Sequence, residues 1–457
     1  MESKWMLYTK RAEFEKISAR FNISPVLARI RINRDIKEED FSLYLKSDLS
    51  LMHDAGRLYG VEDAYNEIMS EIKKGNKIRV VGDYDIDGVC SSYILVKSLR
   101  RFGADADVRI PDRIKDGYGI NDNIINEAAN DKISMIITCD NGIAAHSQME
   151  LAKKLGIKVI ITDHHEVYQE EGKDYLPVAD VVINPKRSEC KYPFKSICGA
   201  LVAYKLMEYM FERLYGKKMY EDGELSDLLE VAAIATIGDV MPLVDENRVL
   251  VKHGLKSLLN TKNLGLRALI KATGMEGKKI SAYSIGFVIG PCLNAGGRLE
   301  NALVALNMFM SESSDEANEY AMHLKELNDE RKDLTAMNVK VAVELAEREY
   351  ADDDILVIYL ENCHESIAGI IAGRVREALG KPTIILTDAF GEDGMIKGSG
   401  RSIESYNMFE ALYEVKDIFE KFGGHHMAAG MSLKKDRLDE FRKRLNENSK
   451  LTKEDFI

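Results

Sequence analysis

Carboxylates and imidazoles gather at four points of the chain: GDYDIDG (82–88), TCDNG (138–142), TDHHE (162–166) and IGDVMPL (237–243). The first three follow short apolar runs that read as strands, and the fourth closes an apolar helical run. In open α/β sheets ligands bind beyond the carboxyl ends of the strands, so these clusters are predicted to meet in one crevice. Asp83, Asp85 and Asp87 alternate along a turn, so at least two can aim at a common point, and Gly88 lets the next helix start with no side chain in the way. Bringing Asp85, Asp87, Asp140 and Asp239 together in an apolar crevice carries a large like-charge penalty, and divalent cations are the simplest remedy. Mostly oxygen donors with a single imidazole, His164, favour Mn²⁺ or Mg²⁺ over Zn²⁺. Several bridging carboxylates suit two ions about 3.5–4 Å apart, a pair that activates water against a phosphate ester. His165 is expected to face the opposite way on an extended segment, towards substrate, where it could protonate the leaving oxygen.

These clusters must be positioned by a sheet. Between Lys77 and Pro185 β-rich runs (IRVV, ADVRI, SMIITCD, IKVIITD, VADVVIN) alternate with helical patterns, the signature of βαβ units and a doubly wound parallel sheet. Runs such as 135–138 and 159–162 are apolar throughout, as expected where helices cover both faces. Apolar residues at helical spacing from Ile197 to Leu259 extend this domain with a helical layer, in which Met207, Tyr209 and Met210 are expected to pack rather than bind bases. From 311 to 350 the chain lacks proline and glycine and is rich in Glu, Lys, Asn, Ala and Leu, which predicts one or two long connecting helices with Arg331 and Lys332 on a solvated face. DDILVIYL, IIAGRVREALG, TIILTD, GMIKGSGRS and GGHHMAAG then describe a smaller α/β domain. The expected organisation is a helical arm (1–55), a catalytic α/β domain (56–310), a helical connector (311–350) and the second α/β domain (351–457).

With 457 residues, 45% hydrophobic and 30% charged, the chain is long enough for two cores. Its formal net charge of -12 argues against generic nucleic-acid binding, so any polyanion site must be local. Six scattered cysteines (90, 139, 190, 198, 292, 363) form no CxxC pair, so neither a cysteine zinc cage nor a redox motif is indicated and a reducing cytoplasm fits best. No uninterrupted apolar run long enough for a membrane span occurs, and the first residues lack a secretory core.

Asp85, Asp87, Asp140, the Asp163-His164-His165 triplet and Asp239 resemble motifs I to IV of the DHH phosphoesterase superfamily. GPCLNAGGRLENA (290–302), HESIAGIIAGRVRE (364–377), GSGRS (398–402) and GGHHMAAG (423–430) narrow the resemblance to the RecJ-type single-stranded-DNA-specific exonucleases. The resemblance covers nearly the whole chain. It implies a DHH domain, a long helical connector and a DHH-associated domain facing the metals across a cleft, with Mn²⁺-dependent 5′ to 3′ degradation of DNA in recombination and repair. Single-stranded DNA is the implied partner, with a single-stranded-DNA-binding protein and a helicase as further ones, for a monomer away from membranes.

Residue by residue, the resemblance implies that Asp85 and Asp87 bind different metals, that Asp140 bridges them, and that His164 and Asp239 complete the second site. Asp83 would contribute to the first site, and Asp163 would support the ligands from behind. Arg113, Asn294, Arg298, Ser399 and Arg401 are the implied substrate contacts, and His425 would close on the scissile phosphate. His364 is a weaker contact, since a histidine before a helix also serves as a cap. Arginine forks suit phosphate oxygens, and glycines at 398, 400, 423 and 424 would let backbone N–H groups approach a polyanion.

Cys292 and Gly296 depart from the family pattern, where arginine and alanine are usual, but Arg298 is kept. An oligonucleotide-binding barrel, usual after the second domain in this family, is not found among these residues. Two rival readings follow: a DHH phosphodiesterase of oligoribonucleotides or small nucleotides, and a non-catalytic replication protein similar to the RecJ-like subunit of the eukaryotic replicative helicase. The second is disfavoured because every candidate ligand is present.

Overall fold

A computed structural model describes residue 7 and residues 10–456. Of the predicted arm, residues 1–6, 8 and 9 lie outside the described residues; the rest forms short helices at Phe14–Phe21, Pro25–Asn33 and Phe41–Lys46. The chain divides into two compact units, one ending at Asn328 and the other starting at Asp329. That boundary falls inside a single 36-residue helix, Ser314–Glu349, where sequence allowed one helix or two.

The first unit is built on strands β1 (Lys77–Val81), β2 (Asp105–Arg109), β3 (Met135–Cys139) and β4 (Lys158–Thr162), then a two-residue hairpin, β5 (Gln169–Glu170) with β6 (Lys173–Asp174), and β7 (Val181–Ile183). Apart from the hairpin they form one all-parallel sheet in the order β2-β1-β3-β4-β7. Side chains alternate between two cores. Ile78, Val80, Ile137 and Ile160 point into the larger core with helices Ile86–Arg101, Gly199–Tyr215 and Leu228–Gly238. Val81, Ile136, Val159 and Ile161 pack against helices Asp122–Asn130 and His146–Lys154. A period of two with both faces apolar is what produces the continuous Val/Ile runs of a doubly wound sheet. Met207 and Met210 are fully buried, as expected of packing residues.

The second unit holds β8 (Leu356–Tyr359), β9 (Thr383–Asp388), β10 (Met395–Arg401), β11 (Phe419–His425) and β12 (Ala428–Lys434) in the order β11-β12-β10-β9-β8. Only β8 and β9 run parallel; the remaining pairs are antiparallel. Helix Ala368–Leu379 covers one face, and Leu438–Glu447 with Met408–Glu414 covers the other. The glycine-rich GGHHMAAG segment is therefore a β-hairpin at the sheet edge. Among the described residues, all six cysteines are free and buried, and no helix is long and apolar enough to cross a membrane.

Candidate active site

Three neighbouring strands deliver the chemistry. After β1 the chain folds through Gly82–Asp85 into helix Ile86–Arg101, whose first turn is capped by Asp85: its Oδ1 accepts from the N–H groups of Asp87 (2.9 Å) and Gly88 (3.0 Å). The turn is so tight that a Cβ on Gly88 would stand 2.4 Å from the Asp83 carbonyl oxygen, and one on Gly82 would stand 2.0 Å from Ser92 Oγ. That is why the carboxylates are flanked by glycines. After β3, Asp140 adopts a left-handed backbone (φ 61°), a conformation that Asp tolerates better than most residues. Its N–H donates to Thr162 O (3.0 Å), and its carbonyl accepts from the Tyr118 hydroxyl (2.7 Å). Asn141, fully buried, ties three segments together: its Nδ2 donates to Val81 O and Cys139 O, and its Oδ1 accepts from Ile120 N–H.

After β4, Asp163 organises the two histidines. Its Oδ1 accepts from the backbone N–H of His164 (2.7 Å) and His165 (3.0 Å) and lies 2.7 Å from His165 Nδ1, while its Oδ2 accepts from Ile143 N–H. These bonds hold its carboxyl below the usual range although burial pushes the other way. Because the segment is a looped turn beyond β4 and not extended strand, the expectation that His164 and His165 face opposite ways is corrected. Their ring centroids are 4.5 Å apart, and both reach Asp140 Oδ1, His164 Nε2 at 3.1 Å and His165 Nδ1 at 3.9 Å.

Asp239 arrives from the C-terminal end of helix Leu228–Gly238. His164 Nε2 lies 3.8 Å from its Oδ2 and 3.7 Å from Asp87 Oδ2. Ligand-capable atoms form three overlapping groups, each within 4.8 Å: Asp83, Asp85 and Asp140; Asp87, His164 and Asp239; and Asp140, His164 and His165. Asp140 and His164 each belong to two groups, and His165, assigned to substrate from sequence, is within ligand distance as well. Asp163 is in none of them and acts by positioning.

The electrostatics of this cluster call for cations. Burial pushes the Asp83 carboxyl up to about 7, with Asp85 adding to the shift. Asp239 rises to about 8 from burial and the charges of Asp87 and Asp85. Asp140 is raised by burial and by the neighbouring carboxylates, Asp87 is raised chiefly by burial, and burial lowers His164. Among the described residues, Asp239 Oδ2 and His164 Nδ1 are buried without hydrogen-bond partners, and Asp140 Oδ1 is buried with only the two imidazoles beside it. Buried, unpartnered acceptors in a mutually repelling set fit divalent cations, and the oxygen-rich donor set suits Mn²⁺ or Mg²⁺.

Asp87 has a second duty that its spacing did not reveal. Its Oδ2 accepts from Gly199 N–H (2.6 Å) and its Oδ1 from Ala200 N–H (2.8 Å), capping helix Gly199–Tyr215, whose own N-cap residue Cys198 supplies no side-chain bond. The positive end of a helix thus faces the cluster. Gly199 was missed from sequence, as were Asn141 and Tyr118; an apolar helix opening on Cys-Gly with no capping side chain was the available signal. A Cβ on Gly199 would lie 2.8 Å from Asp140 Cβ and 3.0 Å from its Oδ1. Gly199→Val is therefore expected to displace Asp140 and reduce turnover by about a hundredfold or more, the cost of roughly an ångström of misplacement. Mn²⁺ titration of activity and far-ultraviolet circular dichroism check this: higher Mn²⁺ demand with an unchanged spectrum is the expected pair.

The predicted substrate residues fall in both units. In the first, Arg113 stacks over the Tyr84 ring at 4.4 Å, and Arg298 lies in helix Gly290–Leu299, close enough to Tyr84 to act on its hydroxyl. Asn294 Oδ1 accepts from Ile86 N–H (2.8 Å), so this side chain braces the carboxylate turn. In the second unit, Ser399 and Arg401 lie on β10 against Gly369, where a Cβ would stand 2.8 Å from Arg401 Nη2. Arg401 is half-buried, and burial followed by the charge of Arg376 lowers its pKa. His364 Nδ1 caps the turn Glu365–Ile367 through Ser366. Gly423, Gly424 and His425 end the edge strand β11, with His425 Nδ1 accepting from Ala428 N–H. One expectation fails. Gly398 and Gly400 sit in β10, paired on both edges, so their N–H groups are spent in the sheet. Gly398 is there because a Cβ would strike Ile385 O at 2.4 Å.

Residues 77–236 match the DHH family, N-terminal domain, and residues 352–450 match the DHHA1 domain. The chain is 38% identical over 464 residues to the single-stranded-DNA-specific exonuclease RecJ of Bacillus subtilis, covering all of this chain and 57% of that protein. With RecJ of Escherichia coli the identity is 34% over 440 residues, 93% of this chain and 74% of the relative. The crystal structure of Thermus thermophilus RecJ in complex with Mn²⁺ superposes with a TM-score of 0.79 at 28% identity, over 95% of this chain and 60% of that one. The chain thus spans between about half and three quarters of the length of these relatives. The parallel sheet, the shared carboxylates at its strand ends and these identities together place the chain in the RecJ family of DHH phosphoesterases.

Proposed function

We propose that this chain hydrolyses phosphodiester bonds of single-stranded DNA from the 5′ end, releasing nucleotides, with two divalent cations, Mn²⁺ preferred and Mg²⁺ accepted, in recombination and repair. The observation that carries the reading is the junction of Asp83/Asp85/Asp140 with Asp87/His164/Asp239, made where Asp140 Oδ1 and His164 Nε2 meet at 3.1 Å. Bound there, divalent cations would supply an activated water and neutralise phosphoryl charge. Asp140, which belongs to the first group and touches His164 of the second, would help to hold both positions, and Asp87 keeps its geometry by clasping the helix that starts at Gly199. Asp163 holds His165 Nδ1, so Nε2 is the atom offered to a phosphate or leaving oxygen. Arg113 and Arg298 bind phosphate oxygens. Arg401, whose charged neighbour is another arginine, does the same beside Ser399 in the second unit, and Gly423, Gly424 and His425 contribute from the β11 edge. The reading carries with it the division into arm, DHH domain, connector and DHH-associated domain at 55, 310 and 350. It also implies a cytoplasmic monomer working with a single-stranded-DNA-binding protein and a helicase.

Digesting strands labelled at either end, with and without 5′-phosphate, beside a dinucleotide, tests this reading. Mononucleotides released first from the 5′ end of long strands are expected in Mn²⁺. Preference for the dinucleotide, or release from the 3′ end, would contradict it.

A further inference from the structure

Three arginines crowd one tyrosine on the face where the N-terminal arm meets the rest of the first unit. Arg31 lies with its guanidinium carbon 3.2 Å from the Phe41 ring centroid and 5.0 Å from that of Tyr44. Arg248 covers the Tyr44 ring at 3.5 Å and donates through Nε to the Tyr44 carbonyl. Arg34 Nη1 donates to the Tyr44 hydroxyl at 3.5 Å. One helical turn beyond Arg248, Lys252 Nζ donates to the carbonyls of Leu45 and Lys46. None of the three guanidiniums has a carboxylate within ion-pair distance among the described residues. The acids nearby are engaged elsewhere: Glu38 with Arg20, Glu39 with Lys37, and Asp48 with Ser50, leaving Asp40 as a through-space neighbour of Arg31.

Arg31 makes the second, independent observation. Its side chain is 0% exposed, and among the described residues Nε, Nη1 and Nη2 all lack a hydrogen-bond acceptor. A buried guanidinium without an anion, next to two more, is an unbalanced positive site in a chain of net charge -12. Arg34 is exposed and Arg248 half-exposed, so both are open to an incoming anion, and the buried Arg31 is close enough to Arg248 to feel its charge.

We propose that the Tyr44-centred cluster of Arg31, Arg34 and Arg248 is a phosphate-binding subsite for a single strand of nucleic acid, outside the catalytic centre. The inference rests on the nuclease reading. It deepens that reading by naming where an acidic protein grips the strand away from the cut. A strand is favoured over an acidic peptide because Arg248 lies only nine residues beyond Asp239 in sequence, in helix Asp245–Ser257. That separation limits the distance to roughly 30 Å even for extended chain, within a single-strand footprint of about 4–16 nucleotides.

The test uses the full chain in chelator, with fluorescence anisotropy of a thymidine strand of about twenty nucleotides across a salt series. Arg34→Gln/Arg248→Gln is expected to weaken strand binding about tenfold near 0.1 M salt and to reduce the log–log salt slope by about 1–2. Cleavage of a trinucleotide in Mn²⁺ should be unchanged. Arg34→Lys/Arg248→Lys should recover most of the slope, which separates charge from folding. Unchanged affinity and slope in the Gln variant, while the unmutated chain binds and cuts the strand, would overturn this subsite alone. Loss of polyglutamate binding without loss of strand binding would assign the surface to an acidic peptide and overturn it too. So would displacement of the strand by inorganic phosphate at equal phosphate concentration, which would mark a site for free anions. A chain that neither binds nor cuts any strand would instead remove the nuclease reading itself.

Discussion

Asp140→Asn is expected to leave a chain that is nearly inert yet more heat-stable than the original when metal is absent. Asparagine is one of the few residues that accept the left-handed backbone of position 140, so the turn and the Tyr118 bond to its carbonyl should survive. What disappears is one ionisable carboxyl from a buried set that burial and mutual repulsion make costly to charge. Relief of about 1–2 kcal/mol would raise the melting temperature of the metal-free protein by about 2–4 °C. The same carboxylate is shared by two of the three ligand groups, so its loss removes several kcal/mol of transition-state stabilisation, or about a thousandfold or more in rate. Scanning calorimetry in chelator and a single-strand cleavage assay in Mn²⁺ check both halves. Full activity, or a lower metal-free melting temperature, would show that Asp140 is neither shared nor strained.

The metal-free chain should lose stability as pH rises from 5.5 to 8.5, and Mn²⁺ should abolish that loss. Asp83 and Asp239 hold protons in the folded state up to about 7 and about 8, well above the value of an unfolded aspartate. Between the unfolded and folded pKa values the native state therefore binds more protons than the unfolded state, and the unfolding free energy falls with rising pH. The change amounts to a few kcal/mol, with neutral carboxyls at low pH and repelling carboxylates at high pH. Cations bind the ionised set, so they displace the protons and stabilise the fold through mass action. Melting curves across pH, with chelator or with Mn²⁺, should diverge progressively above pH 6. Parallel curves would mean that the carboxyls are not mutually raised.

How much of this was legible in the sequence depended on range. The parallel sheet and its strand-end clusters were readable because short Val/Ile-rich runs with an Asp one or two residues past their ends are local patterns. The clasp of Asp87 on Gly199 and Ala200 spans more than a hundred residues and leaves no periodic trace. Asn141, which the sequence did not single out, is a buried staple between β1, β3 and the Gly119–Ile120 loop, and its bonds to Val81 and Ile120 are non-local. The His164–His165 pair was misread because alternation holds along a strand, and β4 stops at Thr162. Gly398 and Gly400 show the converse error. Glycines next to serine and arginine suggested backbone donors for phosphate, while a clash with β9 demands Gly398 and close contacts with Met408 and Ile384 surround Gly400.

Diffraction from crystals grown with Mn²⁺, collected on both sides of the manganese absorption edge, probes the catalytic proposal at its root. Two anomalous peaks are expected, one bounded by Asp83, Asp85 and Asp140 and the other by Asp87, His164 and Asp239, with Asp140 touching both. A map with no peak among these side chains in the presence of excess manganese would contradict the account.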